Sequence, residues 1–315
     1  MYVVTIIVPF FGKLPGYTEY FLKGCKYNPE FQWIIFTDQD DVPGCPENVR
    51  FEKLTRSGFD EIASDRLGFR VSTGNPYKLC DFKPVFGFIF REFIGQASFW
   101  GYCDLDVIFG KLGHFITGEV LSKYDILSFY RGFLSGPFSL FRNKDHIINL
   151  FKSCKAYRKI FQDPGYTGFD ENIYRPEIAG VSLRKIIHLV GYSFLRPGLL
   201  ASPGEFRYQY QWYVKKRHVM NQSPVDMTEA IFAASQKGYI NELFCDYLLT
   251  DPYYSRKNIK NWELSWKEGI LTEARSKKEI MAFHFQENKN RPGFKITGPP
   301  DGLTAFNISP SGFKV

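Results

Sequence analysis

No stretch of this sequence approaches the roughly 20 consecutive apolar residues that carry a helix across a bilayer, and no two of its cysteines form a CxxC pair. The first absence leaves a chain expected to be soluble or only peripherally attached to a membrane. The six cysteines, at 25, 45, 80, 103, 154 and 245, also lack ligand-like spacing. That argues against a zinc site and, at 315 residues, against a disulfide framework. Reduced thiols in a cytosol account for them. The apolar opening Met1–Val8 has no basic leader region and no small-residue cleavage site, and it breaks at Pro9. It therefore reads as a buried parallel strand and not as a signal peptide. There is no Lys/Arg run and no nucleic-acid recognition motif, so nucleic acid is not an expected partner. Internal repeats, low-complexity tracts and clear linkers are missing too, which makes one domain the default.

What the chain has in excess is aromatic side chains, 18% of all residues with 32 Phe and 19 Tyr. Such rings fill cores, and they also stack on sugar faces and nucleobases; a Phe-rich core is the preferred reading. The net charge of +7 suits an anionic partner such as a nucleotide diphosphate, an acidic glycan or an anionic membrane surface. The short cluster Lys215-Lys216-Arg217 reads as a solvated face.

Strand-like runs recur through the first half at Val3–Val8, Trp33–Thr37, Val49–Leu54, Ser98–Cys103 and Asp125–Phe129. Helical patterns fall between them at Tyr17–Lys26, Phe82–Phe93 and Lys111–Tyr124. This alternation predicts an α/β fold with a mixed, mostly parallel, Rossmann-like sheet flanked by helices. The second half reads as more helical, with helices over Asn143–Cys154, Val181–Val190 and Asp226–Ala234 and one late strand over Glu279–Phe285. Beyond residue 287 the chain is basic and rich in Gly and Pro, so 288–315 is expected to be a tail or a small hairpin.

Ligands of open parallel sheets bind beyond the carboxyl ends of the strands. Those places read Pro9-Phe10-Phe11-Gly12, Asp38 and Asp104-Leu105-Asp106. In an extended stretch residues two apart face the same side, so Asp104 and Asp106 address one point. Two hard oxygen ligands suit Mn2+ or Mg2+, which complete their shells with water and substrate phosphates. The apolar Phe99-Trp100 before the pair and Val107-Ile108-Phe109 after it make two unpartnered charges costly there. A structural ion pair is the competing account.

Phe99-Trp100-Gly101-Tyr102-Cys103-Asp104-Leu105-Asp106 resembles the DxD signature of bacterial GT-A glycosyltransferases from capsule and O-antigen gene clusters. Ile7-Val8-Pro9-Phe10-Phe11-Gly12 resembles their first strand and nucleotide-binding loop. Lys78-Leu79-Cys80-Asp81-Phe82-Lys83-Pro84 and Ala282-Phe283-His284-Phe285-Gln286 resemble stretches of a poorly characterised subset. The likeness covers roughly residues 1–175 and the neighbourhood of His284. It implies a metal-dependent transferase that moves a sugar from a nucleotide-sugar, UDP-sugar foremost, to a hydroxyl of a growing bacterial surface glycan, with inversion. The acceptor would be a glycan or lipid-linked glycan, and the enzyme cytoplasmic, with peripheral association at the inner face of the membrane.

The same resemblance implies a domain over 1–287, with a nucleotide-binding half to about residue 130 and an acceptor-side half over 131–287. It makes Asp104, Asp106 and His284 the metal ligands, although a lone His on an apolar strand is more often a core residue. It assigns the donor to Pro9, Phe10, Phe11, Asp38, Lys78, Asp81, Lys83 and Asp104; Gly136 joins them on its residue type, since a glycine there would let the backbone approach a sugar closely. For Asp38 an ordinary loop aspartate, for Lys78, Asp81 and Lys83 a solvated helix start, and for Gly136 a simple turn are the alternatives. An inverting transferase needs a general base for the acceptor hydroxyl. Asp170 or Glu171 holds the expected position, against the alternative of acids complementing a helix dipole. Two other functions compete: a sugar-phosphate nucleotidyltransferase and a non-catalytic carbohydrate-binding protein. The first usually opens with a glycine-rich, arginine-bearing loop, which Pro9–Gly16 does not match.

Overall fold

A computed structural model describes residues 3–40, 44–131, 133–170, 224–251, 254, 259, 261–297 and 304–315. The readings for Val181–Val190, Lys215–Arg217 and Glu171 lie outside them. The main sheet begins with β1 (Val4–Pro9), β2 (Phe31–Thr37), β3 (Val49–Lys53) and β4 (Phe99–Cys103). These four run parallel, with Ile6 level with Trp33 on one side and Gly101 on the other. Beyond β4 lie β6 (Ile126–Ser128), β7 (Phe138–Arg142) and β8 (Glu242–Phe244). Here β7 is antiparallel to both β4 and β6, and β8 is parallel to β6. The seven strands stand in the order β3-β2-β1-β4-β7-β6-β8. The α/β expectation holds.

Both faces of this sheet are covered at its centre, which is why β1, β2 and β4 are mostly apolar without strict alternation, whereas the edge strand β3 carries Arg50, Glu52 and Lys53. Ile7, Ile34, Phe36, Trp100 and Tyr102 enter one core with Phe59, Phe82, Phe86 and Phe90. Val4, Ile6, Val8, Trp33 and Ile35 enter the other with Phe21 and Phe109. The aromatic excess goes largely into these cores, where Phe59 meets Phe82 edge-on and Trp100 stacks on Phe141. Gly101 is required by packing, since a Cβ there would sit 2.4 Å from the Ser139 carbonyl oxygen on β7.

Helix α1 (Thr18–Lys26) follows β1, and α2 (Arg56–Leu67) follows β3. Thr55 caps α2 by accepting from Gly58 N–H, and Gly68 ends it in the left-handed region. The stretch expected as one helix over Phe82–Phe93 is instead three short turns, Lys83–Val85, Phe86–Ile89 and Arg91–Ile94. Gly87 lies in the middle turn, where a Cβ would stand 2.2 Å from the Trp100 ring. This close approach of the turn to β4 explains the glycine.

The more helical C-terminal part is not what the described residues form. From residue 224 onward the helix Met227–Gln236 stands among many short strands. A three-stranded sheet joins β5 (Val107–Phe109), β9 (Leu248–Thr250) and β13 (Ala282–His284), with β13 in the middle. A six-stranded sheet comprises β10 (Leu264–Lys267), β11 (Ile270–Glu273), β12 (Glu279–Ile280), β14 (Lys295–Ile296), β15 (Ala305–Ser309) and β16 (Gly312–Lys314). Its order is β12-β11-β10-β15-β16-β14. The local cue was the alternation of Trp262, Leu264 and Trp266 with Glu263, Ser265 and Lys267, a period of two that marks a half-buried strand. Strands β14 to β16 come from the 288–315 segment, and β15 pairs along β10. Among the described residues no helix is long and apolar enough to cross a membrane.

Candidate metal centre

Strand β4 ends at Cys103 and the chain turns through Asp104-Leu105-Asp106 into β5, which leaves the main sheet. Strand β13 pairs antiparallel with β5, with Ala282 opposite Phe109 and His284 opposite Val107. Phe285 N–H then donates to the Asp106 carbonyl at 3.2 Å. This register carries His284 across some 180 residues of sequence to the aspartate turn. One ligand atom each of Asp104, Asp106 and His284 lies within 4.8 Å of the others. His284 points Nε2 at Asp106 Oδ2, 3.2 Å away. Two carboxylates and an imidazole form a donor set that a small divalent cation accepts.

Both carboxylates already draw a cation from the chain. Lys83 Nζ lies 2.7 Å from Asp104 Oδ1 and donates to the Gly136 carbonyl at 2.9 Å. Lys289 Nζ is bonded to Asp106 Oδ2, the same oxygen that faces His284. A buried Asp106 beside a part-exposed Asp104 concentrates negative charge that calls for positive partners, and this supports a metal fit. Burial works against the charged form of Lys83, but Asp104 and, after it, Cys80 and Asp170 outweigh it and hold its pKa well above the ordinary lysine value. Burial likewise opposes the Asp106 carboxylate, and His284 and Lys289 overcome it, leaving the carboxyl below the usual range. For His284 burial pulls the pKa down and Asp106 pulls it up further, so the net shift is upward. Tyr17 faces the pair with its phenol pushed up, by burial first and by Asp106 and Asp104 after it.

Because His284 is raised and a metal ligand must be unprotonated, a cation has to expel the imidazole proton. Below the folded-state pKa of His284 that proton opposes binding; above it the opposition vanishes. Mn2+ affinity is therefore expected to fall about tenfold per pH unit, the limit for one released proton, as pH drops below that pKa. Titrations of Mn2+ between pH 8 and 6 check this. His284→Ala should flatten the profile, and an equally steep one in that variant would remove His284 from the site.

The turn opens on a cleft of about 260 Å³. Pro9, Phe10 and Phe11 line it from the loop after β1, with Tyr17 leading into α1 and Arg56 at the start of α2. Tyr77, Leu79, Cys80 and Lys83 also line it, and Lys289 stands beside Asp106. Asp38 sits one loop away: its Oδ1 accepts from Gly12 N–H at 2.8 Å and from Gln39 Nε2 at 3.0 Å. The Gln39 and Gly12 bonds hold its pKa below the usual value. Asp38 thus braces the Phe10–Gly12 loop and is not among the residues lining the cleft.

Lys78 and Asp81, expected at the donor, take another place. Both belong to the short helix α3 (Lys78–Asp81), both side chains are fully buried, and neither lines the cleft. Lys78 Nζ lies 3.0 Å from Asp81 Oδ2 and donates to the carbonyls of Ile160 and Gly165. Asp81 accepts from Thr167 N–H, Thr167 Oγ1 and Phe169 N–H. The pair fastens the 160–169 segment, the end of the helix Tyr157–Gln162 and the chain after it, and leaves no group for a ligand. Asp170 is also buried, at 1% exposure, with its charge felt by Lys83. It does not stand open to an acceptor hydroxyl. Sequence reasoning passed over Lys289, Tyr17, Arg56 and Tyr77. Lys289 had one cue, a lysine five positions after His284, but it lay in a segment read as a tail or a small hairpin.

A model of the family described only as of unknown function, DUF6625, matches residues 6–315. The chain belongs to that family. No curated protein matches the sequence. Solved structures give loose superpositions. The galactosyltransferase LgtC in complex with donor and acceptor sugar analogues is 12% identical with a TM-score of 0.30, over 50% of this chain and 66% of that one. An active-site mutant of LgtC is 9% identical with a TM-score of 0.33, over 90% of this chain and 87% of that one. Mouse xyloside xylosyltransferase 1 in its apo form is 8% identical with a TM-score of 0.36, over 92% and 99%. Similarities this distant carry no argument about activity, which rests on the residues themselves.

Proposed function

We propose that this chain is a GT-A glycosyltransferase that moves a sugar from a nucleotide-sugar, UDP-sugar foremost, to a hydroxyl of a bacterial surface glycan. The observation that carries the reading is the convergence of Asp104, Asp106 and His284 at the carboxyl end of β4, flanked by two ammonium groups, with both aspartates and both lysines lining one cleft. Strand order β3-β2-β1-β4 with an antiparallel β7 beside it agrees with the GT-A resemblance. A divalent cation held there would stabilise the negative charge that grows on the departing diphosphate.

The side chains supply the rest. Asp104 and Asp106 hold that cation, with His284 as a third ligand once deprotonated. Lys83 and Lys289 face the position a diphosphate would take and offset its charge. Phe10, Phe11, Tyr17 and Tyr77 give faces to base and sugar and keep water from the reacting carbon. With Asp170 buried, Glu171 is the sequence-based candidate for the base of an inverting transfer. The domain reading is one transferase domain over 1–287, donor half to about 130 and acceptor half beyond, to which 288–315 contributes Lys289. A surface-glycan or lipid-linked acceptor would place the enzyme in the cytoplasm, against the inner face of the membrane.

A thermal-shift panel of UDP-, GDP- and CMP-sugars with and without Mn2+ tests the reading. At a hundred times its dissociation constant a ligand of the native state adds about 2.7 kcal/mol, a rise of roughly 5 °C for a chain of this size. A shift that needs both Mn2+ and one nucleotide-sugar is expected. No shift with any of them sinks the proposal, and a shift only with a nucleoside triphosphate and sugar phosphate points to a nucleotidyltransferase.

A further inference from the structure

Two facts about the aspartate turn are left over once a metal site is proposed. First, each carboxylate of the turn already has a cation of the chain: Asp104 and Asp106 are matched one for one by Lys83 and Lys289. Second, the two ammonium groups are held differently. Lys83 is buried and tied to the Gly136 carbonyl as well as to Asp104. Lys289 is a quarter exposed, and among the described residues its ion-pair partner is Asp106. Its backbone is the fixed part. The single turn Asn288–Asn290 is fastened by the fully buried Asp251, which accepts from Glu287 N–H at 3.0 Å and from Asn288 N–H at 2.7 Å. A rigid base under a partly exposed, flexible side chain allows the ammonium to leave Asp106 without moving the strand that carries His284.

We infer that Lys289 is an internal counter-ion that occupies the place of the metal at Asp106, so that the site refuses a bare divalent cation and admits one only together with a diphosphate. The reasoning is electrostatic. A divalent cation added to a turn whose carboxylates are each already paired with a lysine brings two excess charges into a poorly solvated place. A diphosphate entering with it offsets those charges and gives the displaced ammonium a new partner. Metal and nucleotide then bind cooperatively, and the coupling is reciprocal. The inference rests on the metal reading proposed above. It adds that the bare metal site is guarded, and by which residue.

Equilibrium dialysis of Mn2+ against the full chain, without and with UDP, tests it through bound metal and not through turnover. Wild type should bind Mn2+ alone weakly and gain on the order of tenfold with UDP, within the roughly 5–150-fold range of allosteric couplings. Lys289→Ala should bind Mn2+ alone about tenfold more tightly than wild type, with the UDP gain largely lost. Lys289→Arg keeps the charge and should behave as wild type. If wild type and Lys289→Ala bind bare Mn2+ equally, or if the Arg variant matches the Ala variant, the counter-ion role is overturned while the metal site stands. If no variant retains Mn2+ with or without UDP, the metal reading itself falls. Unchanged circular dichroism of each variant keeps the comparison among folded proteins.

Discussion

Replacing Asp106 with Asn is expected to remove Mn2+ binding and lower transfer by about 10³-fold, because a catalytic cation supplies several kcal/mol and each 1.36 kcal/mol is about a factor of ten. Asn keeps the shape of the side chain and removes the charge that His284, Lys289 and the cation all share. Stability should change far less than activity. The imidazole can shed its proton and the partly exposed Lys289 can turn to water, so no charge is stranded. Mn2+ dialysis, donor-dependent product formation and a urea melt, run side by side, check the three parts. A variant that keeps metal-dependent turnover within tenfold of wild type would show that Asp106 is only the partner of a structural ion pair.

How far the sequence alone reached depended on the range of the information each feature needs. Strands β1, β2 and β4 were legible because each is a short apolar run, and β3 because Val49 and Phe51 alternate with charged residues. The aspartate pair was legible because its spacing is local. His284 was singled out only through a family resemblance; its place beside Asp106 depends on the β5–β13 register, a pairing between residues far apart in sequence. Lys289 escaped notice for a related reason. Nothing local distinguishes it from a solvated lysine, and its meaning comes from a turn held by Asp251. The C-terminal sheets were misread as more helical because their strands are two to five residues long, too short for a period of two to outweigh neighbouring apolar runs. The 82–93 region failed from the opposite cause. Its composition is helical, but the contact of Gly87 with Trp100 and the breaks between turns are tertiary.

The burial of Lys78 and Asp81 yields the other large effect. Charges three apart at the head of a helix look solvated in a sequence, and beside a family resemblance they look like ligands. Burial decides otherwise: both side chains are at 0% exposure, 3.0 Å apart. Removing one member of such a pair strands the other, at a cost of about 3–5 kcal/mol. Asp81→Asn should therefore lower unfolding stability by about that amount, a large share of the roughly 5–15 kcal/mol that holds a typical domain together. The loss is compounded because the Asn amide would turn an N–H toward one of the donors that Asp81 now accepts, at Thr167 or Phe169. Urea unfolding at 25 °C measures the loss. The companion measurement separates the two roles. If Asp81 were a donor ligand, the variant would lose nucleotide affinity and keep its stability. If it is the fastening of the 160–169 segment, nucleotide affinity in the folded fraction stays near wild type. Any catalytic loss then falls on turnover, because Phe169 N–H, held by Asp81, fixes the chain that leads on to Glu171, the candidate base.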